Sequence, residues 1–162
     1  MLISELMSAE LPVEMAMTRK VLARISDDNL KWKPAGELRT IAWNATHLVE
    51  IIGWVPGIIG QSDFDIAPVG SEPYVTPEAA QATQLLSRFD ASCKAALDSL
   101  AGVPDSVMHE PWSLKMGGQT LFTMNKGDCI RKWVFSHTAH HRGILSAYLR
   151  MAGLQFPSIY EE

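Results

Sequence analysis

Two histidines with helical spacing are the residues best suited to chemistry in this chain. His137 and His141 stand four positions apart in the segment 125–153, whose apolar period predicts one long helix. Both fall within the apolar stripe of that helix, where a lone imidazole needs a hydrogen-bond partner or a metal. Side chains at i and i+4 can direct two ring nitrogens at one ion. The segment therefore predicts a binding site.

A third histidine is predicted to face the same interior from another helix. The segment 38–59 has a helical apolar period, and a second, aromatic-rich row lies beside its main apolar line. That row consists of Trp43, His47, Glu50 and Trp54. Alone, His47 would more often be a hydrogen-bonded structural histidine than a ligand. Combined with the pair on the last helix, it indicates an open three-ligand metal site.

Three neutral imidazoles define the chemistry that such a site could support. Three protein ligands leave a position for water or substrate, as in catalytic sites, whereas structural zinc has four ligands. All-nitrogen ligation suits zinc, nickel, copper or ferrous iron, and we expect zinc or nickel before iron or copper. The ion would polarise a bound group or lower the pKa of its water towards about 7. Residues 137–141 lack the glutamate of His-Glu-x-x-His metalloproteases, so that mechanism is not expected.

The sequence allows more than one role for each of three side chains near the predicted site. Glu50, one turn after His47, is a candidate general base, a fourth ligand, an acceptor for a ligand's N–H, or a surface carboxylate. His140 competes as a ligand, but it lies about 80° from the centre of the apolar stripe, so the other two histidines of the segment are preferred. Arg142 is expected to pair with a carboxylate, contact substrate or lie in solvent.

The elements that must position these residues are predicted to form an all-α four-helix bundle. Apolar spacing predicts helices over 4–25 and 38–59, a third that begins at Thr76 and extends to Leu100, and a fourth over 125–153. The linker 61–76 is long enough for a crossover that lets the second and third helices run parallel. Residues 102–127, with a Gly-Gly pair, predict a short β-hairpin or a long loop before the last helix.

Several further side chains have expected positions. The apolar face of the first helix is predicted to be Leu6, Ala9, Val13, Met17, Val21 and Ile25. Trp112 is expected either to form a wall of the pocket or to plug the bundle, and His109 is expected in an exposed loop. Cys93 is expected to be a small core residue. After Gly153, the tail 154–162 is predicted to pack back through Phe156 and Tyr160.

Composition bounds the class of protein. The 162 residues, 47% hydrophobic and 20% charged, are expected to form a single domain over 1–162. A net charge of −4 gives no basic surface for nucleic acid or an anionic membrane, and no apolar run approaches the roughly 20 residues of a membrane span. Two cysteines on separate predicted helices and the absence of a signal-peptide pattern favour the reducing cytoplasm.

Several motifs together resemble the DinB-like family, also called DinB/YfiT-like metalloenzymes. They are His137-x-x-x-His141-Arg142-Gly143, Tyr148-Leu149-Arg150, the ending from Gly153 to Pro157, Trp43-x-x-x-His47-Leu48 and Trp32-x-Pro34. The resemblance implies a four-helix bundle with an unusual helix order, a metal triad of His47, His137 and His141, and a homodimer. Ile144 departs from the glutamine that the family often carries after His-Arg-Gly.

The resemblance also implies two reaction classes. Relatives are described as metal-dependent hydrolases, or as thiol-dependent transferases and isomerases that use bacillithiol or mycothiol. We therefore expect a cytoplasmic metalloenzyme that hydrolyses or transfers a thiol-bearing small molecule. One alternative is a non-catalytic stress-response protein of the same fold that binds a metal or another ligand. Another is that the three histidines are unrelated core residues.

Overall fold

The computed structural model describes residues 1–155 and 158–160 and is mostly helical. The α-helices are α1 (Ile3–Leu22), α2 (Ile41–Gly53), α3 (Val55–Gly60), α4 (Ala82–Leu100), α5 (Asp105–Met108), α6 (Lys126–Ile130) and α7 (His137–Met151). A 3-10 turn spans Asp27–Asn29, and a π-helical segment, Arg131–Ser136, joins α6 to α7. The strands are β1 (Asp63–Asp65), β2 (Pro111–Met116) and β3 (Gln119–Asn125).

Helices α1, α2, α4 and α7 surround a common apolar core. Both α2 and α1 pack against α4 and α7. Thr40, at the start of α2, donates a hydrogen bond to Glu78, whereas Gly53, at its end, lies against Ser92 of α4. Positions along α2 therefore advance in the same direction as positions along α4, and the two helices run parallel. The linker between them is the crossover that its length allows.

The buried face of α1 differs from the predicted one. Its buried residues are Ser4, Met7, Leu11, Met15, Thr18, Val21 and Leu22. Leu6 and Val13, predicted to face inward, are each more than half exposed. The observed buried face includes two hydroxyl residues, Ser4 and Thr18. Their burial is tolerated because Ser4 donates a hydrogen bond to the carbonyl of Val103 and Thr18 donates one to a carbonyl of its own helix. A pattern built from apolar residues alone misses such satisfied polar positions.

The second and third helices begin or end at different residues from those predicted. The predicted helix 38–59 is interrupted at Trp54, because Pro56 lies in the first turn of α3, where a missing N–H costs little. The third helix starts at Ala82, not at Thr76. The backbone N–H of Ala79 donates instead to Thr46 of α2, so contact with α2 holds residues 76–81 outside the helix.

A small sheet adds to the predicted all-helical architecture. Strands β2 and β3 form the predicted antiparallel hairpin, and Gly117 and Gly118 at its turn have φ of 61° and 78°. Strand β1 was not predicted; it lies in the linker 61–76 and pairs in parallel with β2. The Asp65 carboxylate accepts hydrogen bonds from the backbone N–H groups of both turn glycines, which fixes β1 to the hairpin.

The last helical stretch agrees with the predicted segment in extent. Helical structure runs from Lys126 through the π-helical segment to Met151, and Gly153 then has φ of 83°, as expected for a helix end. The predicted packing of Tyr160 is wrong, because that side chain is exposed. Phe156 lies outside the described residues. Across residues 1–155 and 158–160, no helix combines the length and apolar character needed to cross a bilayer.

Candidate metal centre

The structure brings the three predicted histidines together. His47 lies on α2, and His137 and His141 lie one turn apart on α7. Each offers a ring nitrogen, and these three atoms all lie within 4.8 Å of one another. The His47 ring centroid is 4.6 Å from that of His141 and 5.2 Å from that of His137. The cluster is partly buried and is formed by residues far apart in the chain.

Three tryptophan rings contact the imidazoles of His47 and His137. Trp43 stacks on His47 with ring centroids 4.8 Å apart, one turn earlier on the same helix. Trp54, at the break between α2 and α3, lies 5.7 Å from the ring of His137. Trp133, in the π-helical segment just before α7, contacts His137 at the same centroid distance. π-Helical turns inside α-helices are frequent at functional sites, and this one directly precedes a site residue.

The imidazoles lack the hydrogen bonds that would account for a structural role. The Nδ1 atoms of His47 and His141 are buried and have no hydrogen-bond partner among the described residues. The Nε2 atoms of His137 and His141 lie 3.0 Å apart. Burial, together with the nearby His47, lowers the pKa of His137 and lowers that of His141 to about 3. At neutral pH both rings are uncharged, so their lone pairs are available to a metal.

Glu50 lies beside the cluster and is not a surface carboxylate. Its side chain is 10% exposed, and one carboxylate oxygen, Oε2, lies 3.8 Å from Nδ1 of His47. The Tyr74 hydroxyl donates a hydrogen bond to the other oxygen, Oε1. Burial raises the pKa of Glu50, but the nearby His47 and hydrogen bonds from Tyr74 and Thr76 outweigh this effect and hold the pKa below its usual value. Glu50 is therefore ionised next to the histidines.

The neighbours of the triad on α7 do not contribute to the three-nitrogen cluster, although the His140 ring lies edge-on to that of His141 at 5.0 Å. His140 is exposed and is not part of the three-nitrogen cluster, in agreement with the preference for the other two histidines. Arg142 is 6% exposed, and its Nη1 donates to Glu14 Oε2 at 2.8 Å and to the Thr18 hydroxyl at 3.2 Å. Arg142 thus pairs with a carboxylate of α1, one of its three expected roles. His109 is exposed, as predicted.

A cavity of about 460 Å³ opens beside the triad at His137. Its lining is mostly aromatic and aliphatic, and Trp112 belongs to its wall, one of the two roles expected for this residue. Tyr74 and Phe64 also line it. Sequence reasoning missed both residues, since they lie in a linker rich in glycine and proline. Alternation of apolar residues around Phe64 is too short a signal to predict the strand that places it there.

Comparison with known proteins supports the fold. Two solved structures are similar to the chain at the level of the fold. A DinB-like protein from Bacillus cereus has a TM-score of 0.69 and 20% identity, and the match covers 94% of each chain. A DinB-like protein from Bacillus subtilis, YjoA, has a TM-score of 0.68 and 14% identity, and the match covers 96% of this chain and 99% of that one.

No curated protein matches the chain. The family model of the DinB superfamily matches residues 13–145, a range that contains His47, His137 and His141. Because that match covers most of the sequence and the fold agrees with two DinB-like structures, this chain belongs to the DinB superfamily.

Proposed function

We propose that the protein is a metal-dependent enzyme that acts on a small molecule, with its ion held by His47, His137 and His141. The observation that carries the proposal is the convergence of three ring nitrogens within 4.8 Å of one another at the edge of a cavity. Three histidine ligands leave a coordination position for a nucleophile or substrate. The same donor set supports zinc or nickel first, with iron or copper as alternatives.

The cluster fits an ion better than it fits a set of core histidines. A core imidazole is expected to satisfy its buried nitrogens with hydrogen bonds. Here Nδ1 of His141 has no partner among the described residues, and the 3.0 Å contact between His137 and His141 can share one proton at most. Depressed pKa values keep both rings neutral, the form that binds metals.

The surrounding residues have defined tasks in this proposal. A bound divalent ion supplies Lewis-acid polarisation and lowers the pKa of a bound water or thiol. Glu50 orients His47 by facing its Nδ1 and can also accept a proton from the nucleophile. Tyr74 fixes the carboxylate by donating to Oε1, which leaves Oε2 directed at the histidines. The apolar cavity keeps bulk water away from the reacting group.

Metal binding is tested by titrating zinc and nickel into metal-free protein. We expect His47→Ala to weaken the affinity by more than about 100-fold, since loss of an outer partner alone costs 10–100-fold. His140→Ala is the matched control, because this exposed imidazole lies outside the cluster and its loss should leave the affinity unchanged. Unchanged affinity in His47→Ala would mean that the triad is not the metal site.

The reaction class is tested with metal-loaded protein. Hydrolysis uses water at the open position, and thiol transfer uses a low-molecular-weight thiol. The protein is assayed against panels of esters and amides, and against electrophiles in the presence of bacillithiol. We expect turnover in one panel, lost on metal removal and in His141→Ala. Metal binding without turnover in any panel would contradict an enzyme and favour the non-catalytic metal-binding alternative.

A further inference from the structure

The cavity beside the triad has a continuous aromatic surface that ends at a candidate ligand. Phe122 of β3 and Trp133 of the π-helical segment stack with ring centroids 5.3 Å apart and planes only 4° from parallel. Trp133 and Trp54 each contact the ring of His137, and all four residues line the cavity. A flat ring inserted there would meet aromatic faces and edges and would approach His137.

The cavity lining carries very little charge. Among the described residues, no arginine or lysine lines it, and Glu50 is its one carboxylate. That carboxylate already accepts a hydrogen bond from Tyr74 and faces His47, so its negative charge lies at the edge of the cavity next to the triad. Burial raises the pKa of the Cys129 thiol to about 11, so this lining group is uncharged at neutral pH. In the metal-free cavity, an anionic ligand would find no counter-ion, and a cationic ligand would compete with existing partners of Glu50.

The volume sets the size of the occupant. Small-molecule sites commonly range from about 300 to 1,000 Å³ and are mainly apolar, with a few polar groups that fix orientation. At about 460 Å³, this cavity accommodates a molecule with one or two rings. Glu50 and His137 lie together at the triad, whereas the other polar lining groups, which include Gln61 and the indole N–H groups of Trp112 and Trp133, are uncharged. The cavity therefore has a mostly apolar body and one reactive edge.

We propose that the cavity binds an uncharged, ring-bearing apolar small molecule and presents that molecule's reactive group to the edge at His137. The position of the reactive edge rests on the proposed function, whereas binding of the ring system depends on the cavity walls. In the thiol-transfer form of that function, the cavity takes the apolar electrophile and not a charged thiol.

The test uses metal-free full-length protein and three probes with the same ring system. Naphthalene-2-methanol is neutral, 2-naphthoate is anionic and 2-naphthylmethylammonium is cationic; each is titrated by calorimetry. We expect the neutral probe to bind at least about tenfold more tightly than either ion, because an ion would lose hydration without gaining a free counter-ion. Equal or tighter binding of either ion, or no binding of the neutral probe, would overturn the inference.

Neighbouring residues of β3 provide matched variants. Phe122→Ala should weaken binding of naphthalene-2-methanol by about fivefold or more, because it removes a ring from the wall. Leu121→Ala should leave binding unchanged, because Leu121 is 50% exposed and does not line the cavity. Leu114→Ala, which also alters the lining, replaces Phe122→Ala if circular dichroism shows that the latter is unfolded. Equal effects of Leu121→Ala and the lining variant would contradict binding in this cavity.

Zinc titration of the same preparation separates this inference from the proposed function. Zinc binding without binding of the neutral probe overturns the ligand class alone. Binding of the neutral probe without zinc binding overturns the metal-dependent function, whereas the apolar ligand class still holds.

Discussion

His141 and Arg142 are adjacent on α7 and illustrate two different uses of a polar side chain that is partly or fully buried. Arg142 points to α1, where its guanidinium meets the carboxylate of Glu14 and the hydroxyl of Thr18. The His141 ring lies against that of His47 on α2. Its Nε2 meets only the Nε2 of His137, on its own helix, and its Nδ1 has no partner among the described residues. The satisfied group joins two helices. The unsatisfied one has unused bonding capacity, which we attribute to a metal ligand.

The largest effect on stability is expected from loss of the ion pair between Arg142 and Glu14. Arg142→Met leaves the Glu14 carboxylate without its partner in a mostly buried position. Removal of one partner of a buried ion pair costs several kcal/mol, so we expect the free energy of unfolding to fall by about 3 kcal/mol. Urea denaturation of the metal-free protein measures this loss. Zinc affinity should be unchanged, and a loss below about 1 kcal/mol would contradict the structural role of Arg142.

Acid should destabilise the metal-free protein through protonation of His141 in the unfolded chain. Burial holds the pKa of His141 at about 3, whereas an unfolded histidine has a pKa of about 6.5. Between these values the unfolded chain binds a proton that the folded chain does not, so stability is full above about pH 6.5 and declines as the pH falls towards 3. The slope approaches about 1.4 kcal/mol per pH unit for one histidine.

Urea denaturation at a series of pH values between about 7 and 4 measures that slope. His141→Leu should give a flatter dependence, because the variant lacks one of the two histidines whose pKa is lowered in the folded protein. If both proteins lose stability in parallel, the titration of His141 is not the cause.

Replacement of the histidine itself should have a much smaller effect at neutral pH. His141→Leu exchanges a ring with an unsatisfied nitrogen for an apolar side chain, so we expect the unfolding free energy of metal-free protein to change by less than about 1 kcal/mol. The same variant should lose zinc binding. Parallel urea denaturation and calorimetry separate these two outcomes. A loss of stability as large as that of Arg142→Met would show that His141 is mainly structural.

The smallest effect on stability is expected at Arg19, an arginine in an exposed ion pair that can be compared with Arg142. Arg19 of α1 makes two hydrogen bonds to Asp90 of α4, but both side chains are about half exposed. Exposed ion pairs typically contribute about 0–1 kcal/mol, so Arg19→Ala should cost about 0.5 kcal/mol. Thermal or urea denaturation measures it beside Arg142→Met. An equal cost for the two variants would mean that burial does not explain the importance of Arg142.

Local patterns predicted the last helix and the candidate site better than they predicted the first helix. The i, i+4 spacing of His137 and His141 in an apolar stripe specifies a shared face, and the aromatic row around His47 indicates a second partly buried face. On α1, the true inward face mixes apolar and hydroxyl residues, and the partners of those hydroxyl groups cannot be identified by apolar periodicity.

Features that depend on distant partners were not predictable from local sequence. Strand β1 exists because it pairs with β2, about fifty residues later, and this pairing brings Phe64 to the cavity. Tyr74 reaches Glu50 only because the linker returns over α2. Local sequence allows three roles for Arg142, because its partner Glu14 lies on the first helix. In each case a contact between remote segments decides the structure.

X-ray absorption spectroscopy of the zinc-loaded protein tests the central claim most directly. We expect a nitrogen-rich first shell at about 2.0–2.1 Å, with outer-shell scattering from three imidazoles that falls to two in His47→Ala. A shell containing sulfur, or an imidazole count that is unchanged in His47→Ala, would contradict a metal centre formed by His47, His137 and His141.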